Sequence, residues 1–153
     1  MHELSRTQRL PISLETAWAF FSSPKNLSKI TPEGMGFTIT TDLADLEKMY
    51  PGQIIGYIVR PVMGIPMQWV TEITHVQEGE FFVDEQRFGP YKFWHHKHFF
   101  LKIPGGVEMR DVVHYKVPLG ILGRVANFLF VRRKLEQIFD YRQRVLTVVF
   151  GEF

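Results

Sequence analysis

The stretch Tyr91-Lys92-Phe93-Trp94-His95-His96-Lys97-His98-Phe99-Phe100-Leu101-Lys102-Ile103 decides the fold. Trp94, His96, His98 and Phe100 recur at every second position, with His95 and Lys97 between them. A period of two places these sets on opposite faces of a strand. Similar runs flank it at Met67–Val76, Phe81–Phe88 and Val107–Val117, separated by short turns containing Gly or Pro. Four long strands joined by tight turns predict an antiparallel meander. Upstream, Leu4–Leu10, Phe37–Thr41 and Gln53–Val59 supply three more strands, and Val62–Pro66 an apolar turn. Between the first two, Ser13 is placed as the N-cap of a helix carrying Ala17, Trp18, Phe20 and Phe21. A second short helix over about Asn26–Ile30 ends before Pro32.

Turn lengths set the register, and register sets the faces. A four-residue loop at Gln77–Glu80 pairs Val76 with Phe81, Thr71 with Gln86 and Ile73 with Asp84. A three-residue loop at Phe88–Pro90 pairs Asp84 with Trp94 and Phe82 with His96. A turn centred on Pro104-Gly105 pairs Ile103 with Gly106, His98 with Asp111 and His96 with Val113. One face then holds Trp69, Thr71, Ile73, His75, Phe82, Asp84, Gln86, Trp94, His96, His98, Phe100, Met109, Asp111, Val113 and Tyr115. The other holds Glu72, Glu85, Arg87, His95, Lys97, Arg110, His114 and Lys116 and is the one for water.

From Leu119 to Phe150 the period becomes helical. Val125, Phe128, Leu135, Ile138, Phe139, Leu146 and Val149 fall on one stripe, with Arg133, Gln137, Asp140 and Arg144 opposite. The expected architecture is α+β: a curved antiparallel seven-stranded sheet around one long C-terminal helix, with two short helices after strand 1. The apolar residues at the start of the long helix are expected under the loops, since the reading finds no basic face for a membrane-surface role.

The 153 residues suit a single domain spanning 1–153. There is no cysteine, hence no disulfide and no thiolate chemistry, which fits a reducing, cytoplasmic setting. No signal peptide or transmembrane segment is read, and 18 Lys+Arg against 16 Asp+Glu gives no nucleic-acid footprint. The distinctive figure is 14 Phe beside 3 Trp and 5 Tyr, enough rings for a large core or a ring-lined cavity.

The inward face is apolar yet carries Asp84, Gln86, His96, His98 and Asp111. Buried ionisable groups need partners, and cross-strand neighbours lie about 5 Å apart at Cβ. His98 and Asp111 are therefore expected to pair. Three roles stay open for this set: a structural network, the polar anchor of a ligand cavity, or an Asp–His acid–base dyad. His96-Lys97-His98 has chelate spacing, with His75 or Asp111 as a third ligand, but the ligand set is incomplete and no metal or other cofactor is expected. Arg142 lies in the apolar stripe of the long helix and Arg132 near its edge. Arg142 is expected to pair with an inward acid. The expected ligand-binding set is Trp69, Thr71, Asp84, Gln86, Trp94, His96, His98, Phe100, Met109, Asp111 and Arg142. The cavity is expected between Trp69, Trp94, His96, Met109 and the Phe128–Leu146 stretch, with the Val62–Pro66 turn at its mouth.

The run Gly89-Pro90-Tyr91-x-x-Trp94-x-His96-x-His98-x-Phe100, with Ala17-Trp18-Ala19-Phe20-Phe21, Gly64-Ile65-Pro66, Asp111 and Ile138-Phe139-Asp140-Tyr141-Arg142, resembles the START/Bet v 1-like (SRPBCC) superfamily. Within it, the pattern is similar to small bacterial proteins labelled polyketide cyclase/dehydrase-like. The resemblance implies a helix-grip fold with a cavity between sheet and helix. It implies binding or carriage of a small hydrophobic molecule, with cyclase-like catalysis or a protein-interaction module as alternatives. It brings no catalytic motif that maps onto these residues.

Overall fold

Alternation becomes strand throughout the middle of the chain. The computed structural model describes residues 1–61 and 63–153, and Val62 of the expected mouth turn lies outside them. The strands are β1 (His2–Leu10), β2 (Thr38–Ile39), β3 (Gln53–Val59), β4 (Met67–Gln77), β5 (Phe81–Phe88), β6 (Phe93–Ile103) and β7 (Gly106–Lys116). They form one antiparallel sheet in the order β1-β7-β6-β5-β4-β3-β2. Helix α1 (Leu14–Phe21) follows β1, and Ser13 caps it by accepting a hydrogen bond from the Thr16 N–H at 3.0 Å. The second expected helix is a 3₁₀ segment, Pro24–Ile30, and the strand expected over Phe37–Thr41 pairs only at Thr38 and Ile39.

The β6–β7 register is as expected: His98 faces Asp111, His96 faces Val113 and Ile103 faces Gly106. The β5–β6 register is shifted by two residues, so Asp84 faces His96 and Phe82 faces His98. The cause is a wider turn in which the Gln86 side chain stands in for a strand. Its amide nitrogen donates to the Tyr91 carbonyl at 2.7 Å, and its oxygen accepts from the Tyr91 N–H at 3.1 Å. A shift of two preserves which residues face inward. The β4–β5 turn is one residue shorter than expected, pairing Gln77 with Phe81, and a β-bulge at Thr74 absorbs the difference. Thr71 and Ile73 therefore keep their expected partners Gln86 and Asp84. Beyond the bulge, however, His75 turns outward and is exposed, which corrects its inward placement and removes it as a metal ligand.

The C-terminal helix runs as α2 (Gly120–Ala126), a π turn (Asn127–Val131) and α3 (Arg132–Phe150). Along α3 the expected stripe holds: Leu135, Phe139 and Leu146 are buried against the sheet, and Arg133, Gln137, Asp140 and Arg144 are exposed. Val125, Phe128 and Val149 are exposed instead, correcting the stripe at both ends. The extra residue in a π turn rotates everything before it relative to everything after it. A period read straight through the turn therefore assigns the wrong face to α2. Two packing clusters result. One joins Leu10, Trp18, Phe21, Phe82, Phe100, Met109 and Leu146 beneath α1, and the other joins Leu4, Trp94, Val113, Tyr115, Leu135 and Phe139 beneath α3.

In the first turn of α2, a Cβ on Gly123 would lie 1.8 Å from the Pro118 carbonyl oxygen, whereas one on Gly34 would meet nothing within 4 Å. A backbone atom cannot swing aside as a side-chain tip can. Gly123→Ala should therefore cost about 1–3 kcal/mol or more, and Gly34→Ala should stay within about 0.5 kcal/mol. Urea melts of the two variants decide this, and equal midpoints would mean that α2 is free to lift off Pro118.

Candidate functional site

Between the sheet and α3 lies a cavity of about 190 Å³. An apolar cavity of roughly 150 Å³ is enough to hold benzene, so the space suits a ring system with modest substituents rather than a long chain. Its floor is the concave face of the sheet: Tyr57, Val59, Trp69, Thr71, Ile73, Phe82 and Trp94. Leu135, Ile138 and Phe139 of α3 form one wall. Phe20, Leu27, Ile30, Met35, Phe37 and Met49, from α1 and the segments around it, form another. Trp69, Tyr91 and Trp94 make a continuous aromatic corner, with ring centroids 4.9–5.6 Å apart.

At one place the wall is ionic. Asp84, His96, His98 and Arg142 border the cavity, and Asp111 stands behind the two imidazoles. The contacts close into a ring. His98 Nε2 lies 2.8 Å from Asp84 Oδ2, and His98 Nδ1 lies 2.9 Å from Asp111 Oδ1. His96 Nε2 lies 2.8 Å from Asp111 Oδ1, while His96 Nδ1 is 3.6 Å from Asp84 Oδ2. The Trp94 indole N–H donates to Asp84 Oδ1 at 3.3 Å. Ionised carboxylates only accept. With both nitrogens against carboxylates, His98 must carry two protons and a positive charge. His96 needs one proton, on Nε2, and is neutral.

The acidities follow. Burial lowers the pKa of His98, but the hydrogen bonds to Asp111 and Asp84 outweigh it and hold it above the ordinary range. Burial and then the neighbouring His98 charge push His96 down in spite of both carboxylates. Burial raises Asp84 and Asp111, but the imidazoles overcome it, leaving Asp84 lowered and Asp111 well below the usual carboxylate value. Burial, then the Asp84 charge, pushes the Tyr57 phenol up, so it stays a neutral hydroxyl on the cavity wall.

Arg142 Nη1 is 3.7 Å from Asp111 Oδ1, and its Cζ sits 4.9 Å from the centre of the Phe139 ring. Its Nε is buried without a hydrogen-bond partner. The expected pairing with an inward acid is thus present but loose, and the guanidinium keeps unused donors in a buried place. Two carboxylates against Arg142 and charged His98 leave the cluster near neutrality. Asp84, His96 and His98 each offer a donor atom within 4.8 Å of the others, a spacing a metal ion can use. Those donors already satisfy one another, and the adjacent Arg142 charge opposes a dication.

Of the residues singled out in the sequence, Trp69, Thr71, Asp84, Trp94, His96, His98 and Arg142 line the cavity. Four lie off its wall. Gln86 is committed to Tyr91, Asp111 is screened by the imidazoles, and Phe100 and Met109 are packed in the core beneath α1. Phe128 does not reach the cavity because the π turn directs it outward, to 83% exposure. The wall from α1 and the 3₁₀ segments was not anticipated. Its only signal is that Leu27, Ile30, Met35 and Met49 are apolar without a periodic pattern, and so need cover from another element.

No known family profile matches the sequence, and no curated protein matches it either. The fold itself has many solved counterparts. A protein from Chromobacterium violaceum superposes with a TM-score of 0.74 at 12% identity, covering 100% of both chains. A START superfamily protein from Mycobacterium smegmatis gives 0.71 at 15% identity, covering 98% of this chain and 97% of its own. One from Thermus thermophilus gives 0.71 at 12%, covering 97% and 99%. The chain has the START-like helix-grip fold.

Two measurements test the charge assignment. Imidazole NMR should show His98 doubly protonated to a pH above its usual value of about 6.5, and His96 neutral to a pH below it. A raised folded pKa gives stability that is complete below the unfolded value and lost as pH rises through the folded one. The stability difference between the protein and His98→Asn should therefore shrink as the pH rises above neutrality. Separately, Asp111→Ala strands a buried cation and should cost about 3–5 kcal/mol. Arg142→Ala should cost less than that but more than Arg144→Ala, which should stay within about 0.5 kcal/mol. Equal urea midpoints for the two arginine variants would mean that Arg142 has no structural role.

Proposed function

We propose that this protein binds and carries a small, mostly apolar molecule in the cavity beneath α3. The observation that carries the reading is the contrast along one wall: an aromatic and aliphatic chamber that ends in Asp84, His96, His98 and Arg142. Ligand sites combine an apolar body with a few placed polar groups. Trp69, Thr71, Trp94, Leu135 and Ile138 contact the body of the ligand. Its polar end lies against the Arg142 guanidinium, which keeps a donor without a partner among the described residues, so an oxygen of the ligand is held there. A carrier of this kind needs no metal or cofactor, and its cysteine-free chain suits a reducing cytoplasm.

A specific feature favours one second reading. A charged and a neutral imidazole side by side, with ring centroids 3.7 Å apart, form a proton donor and acceptor on the cavity wall. That pair suits acid–base chemistry on a polyketide-like or aromatic substrate, in line with the cyclase/dehydrase-like resemblance.

Native mass spectrometry of the purified protein should show a co-purified small molecule that is lost from Ile138→Trp, whose added ring fills the chamber. A bound compound returned unchanged after incubation, and retained by His98→Asn, supports carriage. Conversion that stops in His98→Asn supports the enzyme. No ligand in either protein, with no uptake of small aromatic acids or phenols, would overturn both.

A further inference from the structure

We propose that α2 and the π turn form a docking face for an anionic lipid membrane. From Gly120 to Val131 the helix is built inside out. The residues it buries are Gly123 and Asn127, whereas Ile121, Leu122, Phe128 and Phe130 are 69–83% exposed and Val125 and Leu129 more than half exposed. Gly123 is packed against the Pro118 carbonyl in the turn that leads into the helix, so no side chain larger than hydrogen fits on its buried side. Contiguous exposed apolar surface of this kind marks a binding face.

Charge selects the occupant. Contrary to the expectation from sequence of a segment under the loops with no basic face, Arg124, Arg132, Arg133 and Lys134 are exposed along the same helix, and no Asp or Glu occurs between Asp111 and Glu136. Of these cations Arg132 is engaged by Glu136, at 3.1 Å. Large apolar side chains with flanking Arg and Lys on one helix describe a segment that lies in the headgroup region of an anionic bilayer. It does not cross: no helix among the described residues is long and apolar enough to span a membrane. A second copy of the chain fits less well. A two-fold contact would set Arg124, Arg133 and Lys134 of each copy against their own kind with no acid to offset them. The face continues into the cavity wall, because Lys134, Leu135 and Ile138 border the cavity. Docking therefore brings that wall to the lipid surface.

Co-sedimentation of the full chain with phosphatidylglycerol–phosphatidylcholine vesicles, and with phosphatidylcholine alone, tests the proposal independently of any cavity ligand. Binding to the anionic vesicles should be at least tenfold stronger and should fall as salt is raised. A Leu122→Ser/Phe128→Ser variant, altered only at exposed positions, should keep its urea midpoint and lose binding. Arg133→Glu/Lys134→Glu should lose the anionic preference. Equal or absent partitioning into both vesicle types overturns the proposal. So does a dimer that becomes monomeric in the Leu122→Ser/Phe128→Ser variant while the unaltered protein ignores vesicles, which would make the face a self-interface.

Discussion

Two carboxylates on the concave face of a sheet are the constraint on which the rest of the structure depends. Asp84 and Asp111 project into an otherwise apolar interior, where an uncompensated charge costs several kcal/mol. Compensation must come from other elements: His96 and His98 from the intervening strand β6, and Arg142 from the distant helix α3. The ring therefore ties three adjacent strands and the long helix to one another at fixed positions. It also discriminates against misregistration. A slip of one residue in β6 would bring His95 and Lys97 inside and turn His96 and His98 to water, stranding both acids.

That same discrimination explains why much of the fold was legible from spacing alone. The β6–β7 hairpin has a tight turn at Pro104-Gly105 and was read to the residue. The β5–β6 pairing lies two residues from where turn length alone puts it, because nothing in the spacing says that the Gln86 amide takes the place of a strand against Tyr91. The difference does not change any face, since parity survives an even shift. At β4–β5 two departures cancel: the turn is a residue shorter and Thr74 bulges. Only His75, between the bulge and the turn, is left on the wrong side. Parity arguments are thus strong where a charged interior punishes error and weak beyond an irregularity they cannot see.

The helix shows the complementary failure. A helical period identifies an apolar stripe but not a phase break within it, and the π turn at Asn127–Val131 is such a break. Nor does the stripe reveal what covers it. Burial of Leu135 and Phe139 and exposure of Phe128 and Phe130 follow from the same kind of sequence, separated by one extra residue per turn. The cavity is legible in the sequence on two sides: the sheet, where Asp84, His96 and His98 lie on an apolar face, and α3, whose stripe carries Leu135, Ile138, Phe139 and Arg142. Its opposite wall comes from α1 and from 3₁₀ segments whose apolar residues follow no period, and their placement depends on the sheet's curvature.

The energetics of the chamber connect these features. At roughly 24 cal/mol per Å³, a void of about 190 Å³ represents some 4–5 kcal/mol of forgone packing, a sizeable share of the roughly 5–15 kcal/mol by which a domain is stable. Larger side chains could fill part of it: Thr71 and Ile138 both border the space. The fold instead keeps the chamber open, and α3 sets beside it an arginine whose Nε is buried without a partner among the described residues. Each feature alone destabilises the fold, the first through lost packing and the second through a buried donor left unsatisfied. The ring of Asp84, Asp111, His96 and His98, with Arg142 against Asp111, holds the walls in register around the chamber.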